Sequence, residues 1–344
     1  MGMLRNRILG WLLLLPLAAL LPGCATSTHL SRVDASKIAN RTYVIVGASS
    51  GFGRGTAVRL GALRANVVLA ARRTELLEEV AREIRANGGT ALVVTTDASK
   101  ADEVQKLADA AITRFGRIDV WMNVAGIGAI GKFWEIPAED YSRLIDINVK
   151  GVLYGSRTAI GQFIKQGGGT LVNVGSIDSE VPLAYQSTYS ASKAAVLSIA
   201  RSVNQELRHA GYGKTIKIAT VMPWAADTPW WPHAANYSGR APRMAMMDDP
   251  EKIVDAMVWV SLHPREELPV GWKAQTFYSA HRILPDLVER TSANVQRAEL
   301  DKASPASATS GSLHQPMASG TTVEGGIRAR MEREDKASKQ VKPH

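Results

Sequence analysis

Between Arg41 and Leu300 the chain alternates short apolar runs with longer amphipathic stretches. "TYVIVG" is a β-branched run closed by glycine, and Phe52 to Leu63 after it has helical periodicity. "NVVLAA" is a second strand and Thr74 to Ala86 a second helix; "ALVVTTD", Lys100 to Phe115 and "IDVWMNVAG" continue the alternation. Further on come "GTLVNVGS", a helix headed by Tyr189, "TIKIATVMP" and a helix over Pro250 to Leu262. Runs this short and this apolar suit strands buried on both faces, and the helices between them can cross over from one parallel strand to the next. The pattern predicts an α/β fold, one doubly wound parallel sheet covered by helices on both faces. Ligands of such sheets bind beyond the carboxyl ends of the strands, so the chemistry is sought just after each run.

Both ends of the chain depart from this pattern. "MGMLRNRILGWLLLLPLAALLPGC" places Arg5 and Arg7 before an apolar run from Ile8 to Leu21, then small residues before Cys24. That is a signal-peptide layout, and the run is short for a bilayer-spanning helix. "LPGC" resembles a bacterial lipoprotein cleavage box, which implies a protein lipid-anchored at the membrane through Cys24, although Pro22 is unusual there. An uncleaved leader with a cytoplasmic body is the alternative. Cys24 is also the only cysteine, so no intramolecular disulfide can form. At the other end, "KASPASATSGSLHQPMASGTTVEGG" has no apolar periodicity and reads as disordered. The organisation expected is a leader over 1–24, a polar tether over 25–40, a single catalytic domain over 41–300 and a disordered tail over 301–344.

The chain is 344 residues long and 45% apolar, enough for a large core. Its formal charge of +9 is unevenly spread, because residues 302–344 hold seven Lys/Arg against four Asp/Glu and the leader adds two arginines. That leaves about +4 on the body, with no basic run interleaved with aromatics, so no nucleic-acid partner is expected.

The first strand ends in "VGASSGFGRG", which spaces Gly47, Gly51 and Gly53 as G-x-x-x-G-x-G around Ser49, Ser50 and Phe52. Glycine lets the backbone turn tightly and approach a diphosphate, while the following helix offers free N–H groups and the positive end of its dipole. An ordinary strand-to-helix turn also uses glycine, so context matters. The second strand ends in "AARR", where an NAD site usually carries an acidic residue against the ribose 2′-hydroxyl. Ala71 stands there instead, followed by Arg72 and Arg73, which offer charge-assisted donors to a 2′-phosphate. This favours NADP(H) over NAD(H), the other reading being two solvated arginines at a helix start. Asp97 either accepts from an adenine amino group or starts the next helix. "NVAG", with Asn123, Ala125 and Gly126, either passes beneath a cofactor or is a plain turn.

"TYSASKAAVLSIARSV" places Tyr189 and Lys193 one turn apart on a helix face, with Ala191, Ala194 and Ala195 leaving room for a flat ring. An ammonium near a phenol favours the phenolate, which makes tyrosine a usable acid and base near neutral pH. Ser176 lies 13 residues earlier at a strand end, and Asn148 lies in "DINVKG". With these motifs in this order, the chain from about Thr42 to Leu262 resembles the short-chain dehydrogenase/reductase family. The resemblance implies a Rossmann fold and hydride transfer between a nicotinamide and an alcohol or ketone. It implies that Ser176 polarises the substrate oxygen and Tyr189 exchanges the proton. Lys193 would lower the Tyr189 pKa and hold the nicotinamide ribose, Asn148 would orient a relay water, and Pro223 and Thr228 would sit near the carboxamide.

Three residues depart from the family pattern: Val46 replaces a threonine, Val124 an asparagine, and Trp224 a glycine near the nicotinamide face. Trp224 opens the segment at about 224–248, where the family carries a substrate lid. Here Trp224, Trp230, Trp231, Met244, Met246 and Met247 form an apolar wall for a lipophilic alcohol or ketone, or else pack the lid onto the body. Residues 267–295 read as a short strand and one or two helices, a C-terminal helical extension resembling membrane-associated members of the family or else an ordinary packed core helix. His209, His233, His263 and His281 lack metal-ligand spacing, and no metal is expected. A homo-oligomer is compatible with the resemblance. The competing reading is a membrane-tethered nucleotide-binding scaffold without turnover, and the complete Ser, Tyr, Lys and Asn set weighs against it.

Overall fold

The computed structural model describes residues 28–340. Its central sheet holds β1 (Thr42–Val46), β2 (Asn66–Ala71), β3 (Thr90–Thr95), β4 (Val120–Asn123), β6 (Gly169–Val174), β7 (Ile216–Pro223) and β9 (Glu267–Val270). The order is β3-β2-β1-β4-β6-β7-β9, and every neighbouring pair is parallel. The doubly wound sheet expected from the pattern is therefore present. Two short strands, β5 (Ala129–Ile130) and β8 (Ala235–Asn236), pair in parallel outside it.

All five residues of β1 are buried because both faces of the sheet are covered. Tyr43 and Ile45 pack with the helices Gly51–Ala62, Thr74–Ala86 and Pro250–Leu262; Val44 and Val46 pack with Ala101–Phe115, Gly151–Gln166 and Ser187–His209. The strand order reverses between β1 and β4, so the crevice lies where Gly47 and Val124 leave the sheet.

The termini of the body differ from expectation. Within the supposed tether, Arg32–Ile38 is a helix with a Ser31–Asp34 capping box. Ile38 is fully buried, and Asp34 meets His263 at 3.2 Å, so this segment is docked. The tail is also built into the body. After the extension helices Gly271–His281 and Pro285–Lys302, residues 303–326 run over the surface of the lid and end in a helix, Ile327–Gln340. Its bonds are mostly main-chain: Ala241 N–H to Ser304 O at 2.8 Å, and a reciprocal pair between Asn236 and Thr309. Asp227 caps the last helix by accepting from Ile327 N–H at 2.7 Å and Arg328 N–H at 3.1 Å. Composition missed this because backbone pairing needs no apolar periodicity. In the extension, Val288 packs inward while Trp272, Ile283, Leu284 and Leu287 are exposed. No helix of the described residues is long and apolar enough to cross a membrane. The leader and Cys24 lie outside the described residues.

Candidate active site

At the end of β1 the chain turns through Gly47, whose φ of +100° suits glycine; a Cβ there would lie 2.6 Å from Ala125 N. Gly53 is equally constrained, since its Cβ would strike the Gly47 carbonyl. The two glycines let the loop fold flat against the end of β4, and the Gly51–Ala62 helix begins directly behind it. The result is a shallow backbone cradle at a helix N-terminus, the shape a diphosphate requires.

Arg72 and Arg73 stand at the far end of this cradle, and burial lowers the pKa of both. Arg73 donates to Ser49 Oγ at 3.0 Å and Ser50 Oγ at 2.9 Å, joining the arginine pair to the glycine loop. Their other donors go to carbonyls of the C-terminal segment: Arg72 to Ser312 O at 2.7 Å, Arg73 to Met317 O at 3.1 Å. Neither arginine faces a carboxylate at hydrogen-bonding distance in the described residues. Asp97 lines the same end, with its oxygens accepting from Ser99 and from Arg143 at 2.8 Å.

Ser176 follows β6 and caps the short turn Ile177–Ser179, its Oγ accepting from Asp178 N–H at 3.1 Å. With an oxygen lone pair engaged there, its hydroxyl hydrogen is available to the cleft, within hydrogen-bonding reach of the Tyr189 phenol. Lys193 reaches under the Tyr189 ring, 5.7 Å from the centroid, and donates to Val174 O at 2.8 Å. A Cβ on Gly126 would sit 3.2 Å from Lys193 Nζ and 3.6 Å from Asn148 Oδ1, so the small residue of "NVAG" leaves space where lysine and asparagine converge. Asn148 itself is fully buried in a π turn over Asp146–Lys150. Its amide accepts from Ile127 N–H at 2.9 Å and donates to Ile127 O at 2.8 Å, clamping the chain after β4.

A fifth group was not foreseen. Asp178 lines the cleft two residues beyond Ser176, and burial pushes its carboxyl up to about 7, partly offset by Lys193. Burial pushes Lys193 down to about 8, with Asp178 acting the other way. Burial and then Asp178 also raise the Tyr189 phenol, and only the Ser176 hydrogen bond lowers it. The lowering expected from the lysine is not seen here: burial and the aspartate together hold the phenol above its ordinary value. The sequence signal available for Asp178 was an acidic residue inside a strand-end loop.

The substrate side is apolar. Trp224, Trp230, Trp231 and Met244 line it, with Trp230 packing on Tyr189 at 4.9 Å between centroids and Trp224 on Phe277 at 4.8 Å. Met246 points to solvent and Met247 packs into the lid's core, so two of the six wall residues expected from sequence do not reach the cleft. Of the other expected residues, Gly47, Ser49, Ser50, Gly51, Phe52, Gly53, Ala125, Gly126, Pro223 and Thr228 all line the one cleft. Asn123 does not. Its side chain takes Trp121 Nε1–H at 2.8 Å and donates to Asn173 at 2.9 Å, tying β4 to β6 beneath the site. His233, Ser312, Pro316 and Met317 line the cleft without having been expected. Its cradle, paired arginines and the space at Gly126 fit an extended dinucleotide.

Residues 41–236 match the family model for short chain dehydrogenase. The chain is 32% identical over 263 residues to the uncharacterized oxidoreductase YxnA of Bacillus subtilis, covering 76% of this chain and 73% of that one. It is 35% identical over 218 residues to an (S)-acetoin-forming diacetyl reductase of Staphylococcus epidermidis, covering 63% and 81%. Among solved structures, it is similar to an alcohol dehydrogenase from the archaeon Thermococcus sibiricus complexed with 5-hydroxy-NADP, with TM-score 0.57, 25% identity and 66% and 94% coverage. It is also similar to a metagenomic short-chain oxidoreductase in complex with NADP, with TM-score 0.57, 27% identity and 67% and 97% coverage. A parallel sheet with its glycine loop at the switch point, and a serine, tyrosine and lysine gathered in one cleft, accord with these likenesses: the chain belongs to the short-chain dehydrogenase/reductase family.

Proposed function

We propose that the protein is an NADP(H)-dependent oxidoreductase that interconverts an alcohol and a ketone of lipophilic character. The observation that carries this reading is a single cleft with a backbone cradle and two arginines at one end and Ser176, Tyr189 and Lys193 at the other. The NADP and 5-hydroxy-NADP bound to the two similar structures support the cofactor, as do Arg72 and Arg73, which a 2′-phosphate would engage with charge-assisted bonds. When bound, the nicotinamide supplies or accepts the hydride. Everything else falls to the chain's own groups. The Ser176 hydroxyl and the Tyr189 phenol both donate to the substrate oxygen and stabilise the charge that develops on it. Tyr189 gives or takes the proton, and Lys193 holds the ribose hydroxyls. The Asn148 amide is spent on Ile127, so its part is to fix the backbone around the π turn, where a relay water would be held. The indole and thioether walls exclude water and select an apolar substrate. A lipidated Cys24 would hold this body at a membrane, and mass spectrometry of the mature N-terminal peptide tests that part separately.

The reading is tested by following NADPH absorbance with a panel of apolar ketones, using the parent and Tyr189→Phe. The Phe variant is expected to lose nearly all turnover while binding NADPH about as tightly as the parent. Near-full activity in that variant would refute the acid/base assignment.

A further inference from the structure

We propose that residues 304–326 form a strap that closes over the 2′-phosphate end of the cofactor and moves with the lid, so that the protein retains its cofactor from one turnover to the next. This rests on the NADP(H) reading above and adds what governs cofactor exchange. The strap is fastened to the lid at both ends. Near its start, Ser304 pairs with Ala241, Ala306 N–H donates to Gly239 O at 3.1 Å, and Thr309 pairs with Asn236. Near its end, Gly325 N–H donates to Asp227 O at 3.1 Å, and the helix that follows is held through Arg243. Arg243 is a buried lid cation that meets Glu334 at 3.0 Å and Glu299, on the extension helix, at 2.9 Å.

Between these fastenings the strap crosses the cofactor cleft. Ser312 and Leu313 present their carbonyls to Arg72, Leu313 O also accepts from Arg143 at 3.1 Å, and Met317 O accepts from Arg73. Farther on, Arg54 donates to Thr321 O at 2.9 Å, and Thr322 O takes Gly51 N–H at 2.9 Å, at the start of the helix behind the glycine loop. The two sets of contacts differ in kind. Those to the lid are main-chain pairs and a buried ion cluster, whereas those to the body are mostly arginine donors on neutral carbonyls, joined by His314 on Asp140 at 2.7 Å and the packing of Leu313. A phosphate is a better acceptor than a carbonyl, so it takes arginine donors without undoing the fastenings on the lid. The strap therefore stays in place as the wall opposite Arg72 and Arg73. Lifting the lid lifts the strap, and the cofactor can then leave.

The small residues that made this segment look disordered serve close approach. Gly320 has φ +68°, and a Cβ there would lie 2.5 Å from His233 Nε2, which donates to Ser319 O at 2.9 Å. Gly320→Val should therefore spring the strap from the lid by pushing on His233 and Pro229, with Arg72, Arg73 and the glycine loop left as they are. Dissociation of NADPH is measured in the parent and in Gly320→Val by stopped flow, through energy transfer from the cleft tryptophans, with excess NADP+ as the chase. Cleavage of the parent by chymotrypsin after the buried Leu313 is measured with and without NADP+, a readout that does not depend on the variant folding. Release roughly tenfold or more slower in the parent than in the variant, with NADP+ protecting the Leu313 bond, is expected. Equal release and no protection, in a protein that does bind NADPH, would overturn the strap and leave the oxidoreductase reading intact. A parent that binds no NADPH at all would overturn both.

Discussion

Replacing Asp178 with asparagine tests the charge balance of the site directly. In the folded protein the Asp178 carboxyl holds its proton up to about 7, whereas in the unfolded chain it releases it near 3.8. Across that window unfolding releases a proton, so stability is greatest on the acid side and falls as pH rises toward 7. The whole interval of about 3 pH units corresponds to about 4 kcal/mol at 1.36 kcal/mol per unit. Comparing about pH 5 with about pH 8 misses the first part of the window and leaves about 3 kcal/mol. Lys193 works in the opposite sense. Its folded pKa is lowered to about 8 from 10.5, so its stability penalty is felt below 8 and disappears as pH rises toward 10.5. Asp178→Asn removes the aspartate limb and moves the lysine limb to lower pH. Urea unfolding of parent and variant at the two pH values should show the variant gaining about 3 kcal/mol relative to the parent at the higher pH. Without the carboxylate, Lys193 is also expected to lose its proton at lower pH, moving the alkaline limb of the pH–rate profile toward neutrality. An unchanged stability difference between the two pH values would refute the placement of a buried, protonated Asp178 beside Lys193.

Two further outcomes follow from named contacts. Arg72→Ala should weaken NADPH binding about tenfold or more and leave NADH nearly unaffected, by titration with each nucleotide, because a charge-assisted bond to phosphate contributes about 1.5–3 kcal/mol; equal losses for the two nucleotides would contradict the 2′-phosphate assignment. Arg243→Met should cost about 3 kcal/mol in denaturant unfolding, the low end for a broken buried ion pair, since Lys302 still meets Glu299 and Arg330 still faces Glu334; an unchanged midpoint would show that the cluster does not hold the tail.

The parts of the molecule that were legible in the sequence are those whose physics is periodic or local. β-branched runs separated by helices gave the layered sheet, and the glycine spacing gave the loop, because φ and close approach restrict residue type at Gly47 and Gly53. The Tyr189–Lys193 pair was legible because one helical turn aligns the two side chains. Contacts set by tertiary placement were not legible. Asn123 looked like a cofactor residue by position, but the indole of Trp121, two residues away on the same strand, captures its side chain. The tail looked disordered because it is held by carbonyls, a buried arginine and single apolar residues such as Leu313 and Ile327, which make no periodic pattern. Asp178 was overlooked because an acidic residue in a loop is ordinarily solvated, whereas this one is buried in the turn after Ser176.

That desolvated carboxylate changes how Tyr189 is to be understood. A phenol beside a lysine alone would be biased toward phenolate, yet here burial and Asp178 bias Tyr189 toward the neutral form. At the Tyr189 end of the cleft stand a group that can be cationic, Lys193, and two that can be anionic, Asp178 and Tyr189, all buried together. With Lys193 protonated, the pocket accommodates one anion far more easily than two, since a second like charge nearby is costly. Asp178 and Tyr189 therefore compete for that single negative charge, and ionisation of one disfavours ionisation of the other. Any positive charge brought to the nicotinamide end relaxes the competition by favouring a second anion, and its removal restores it. The aspartate thus adds to burial in holding the phenol in its neutral form.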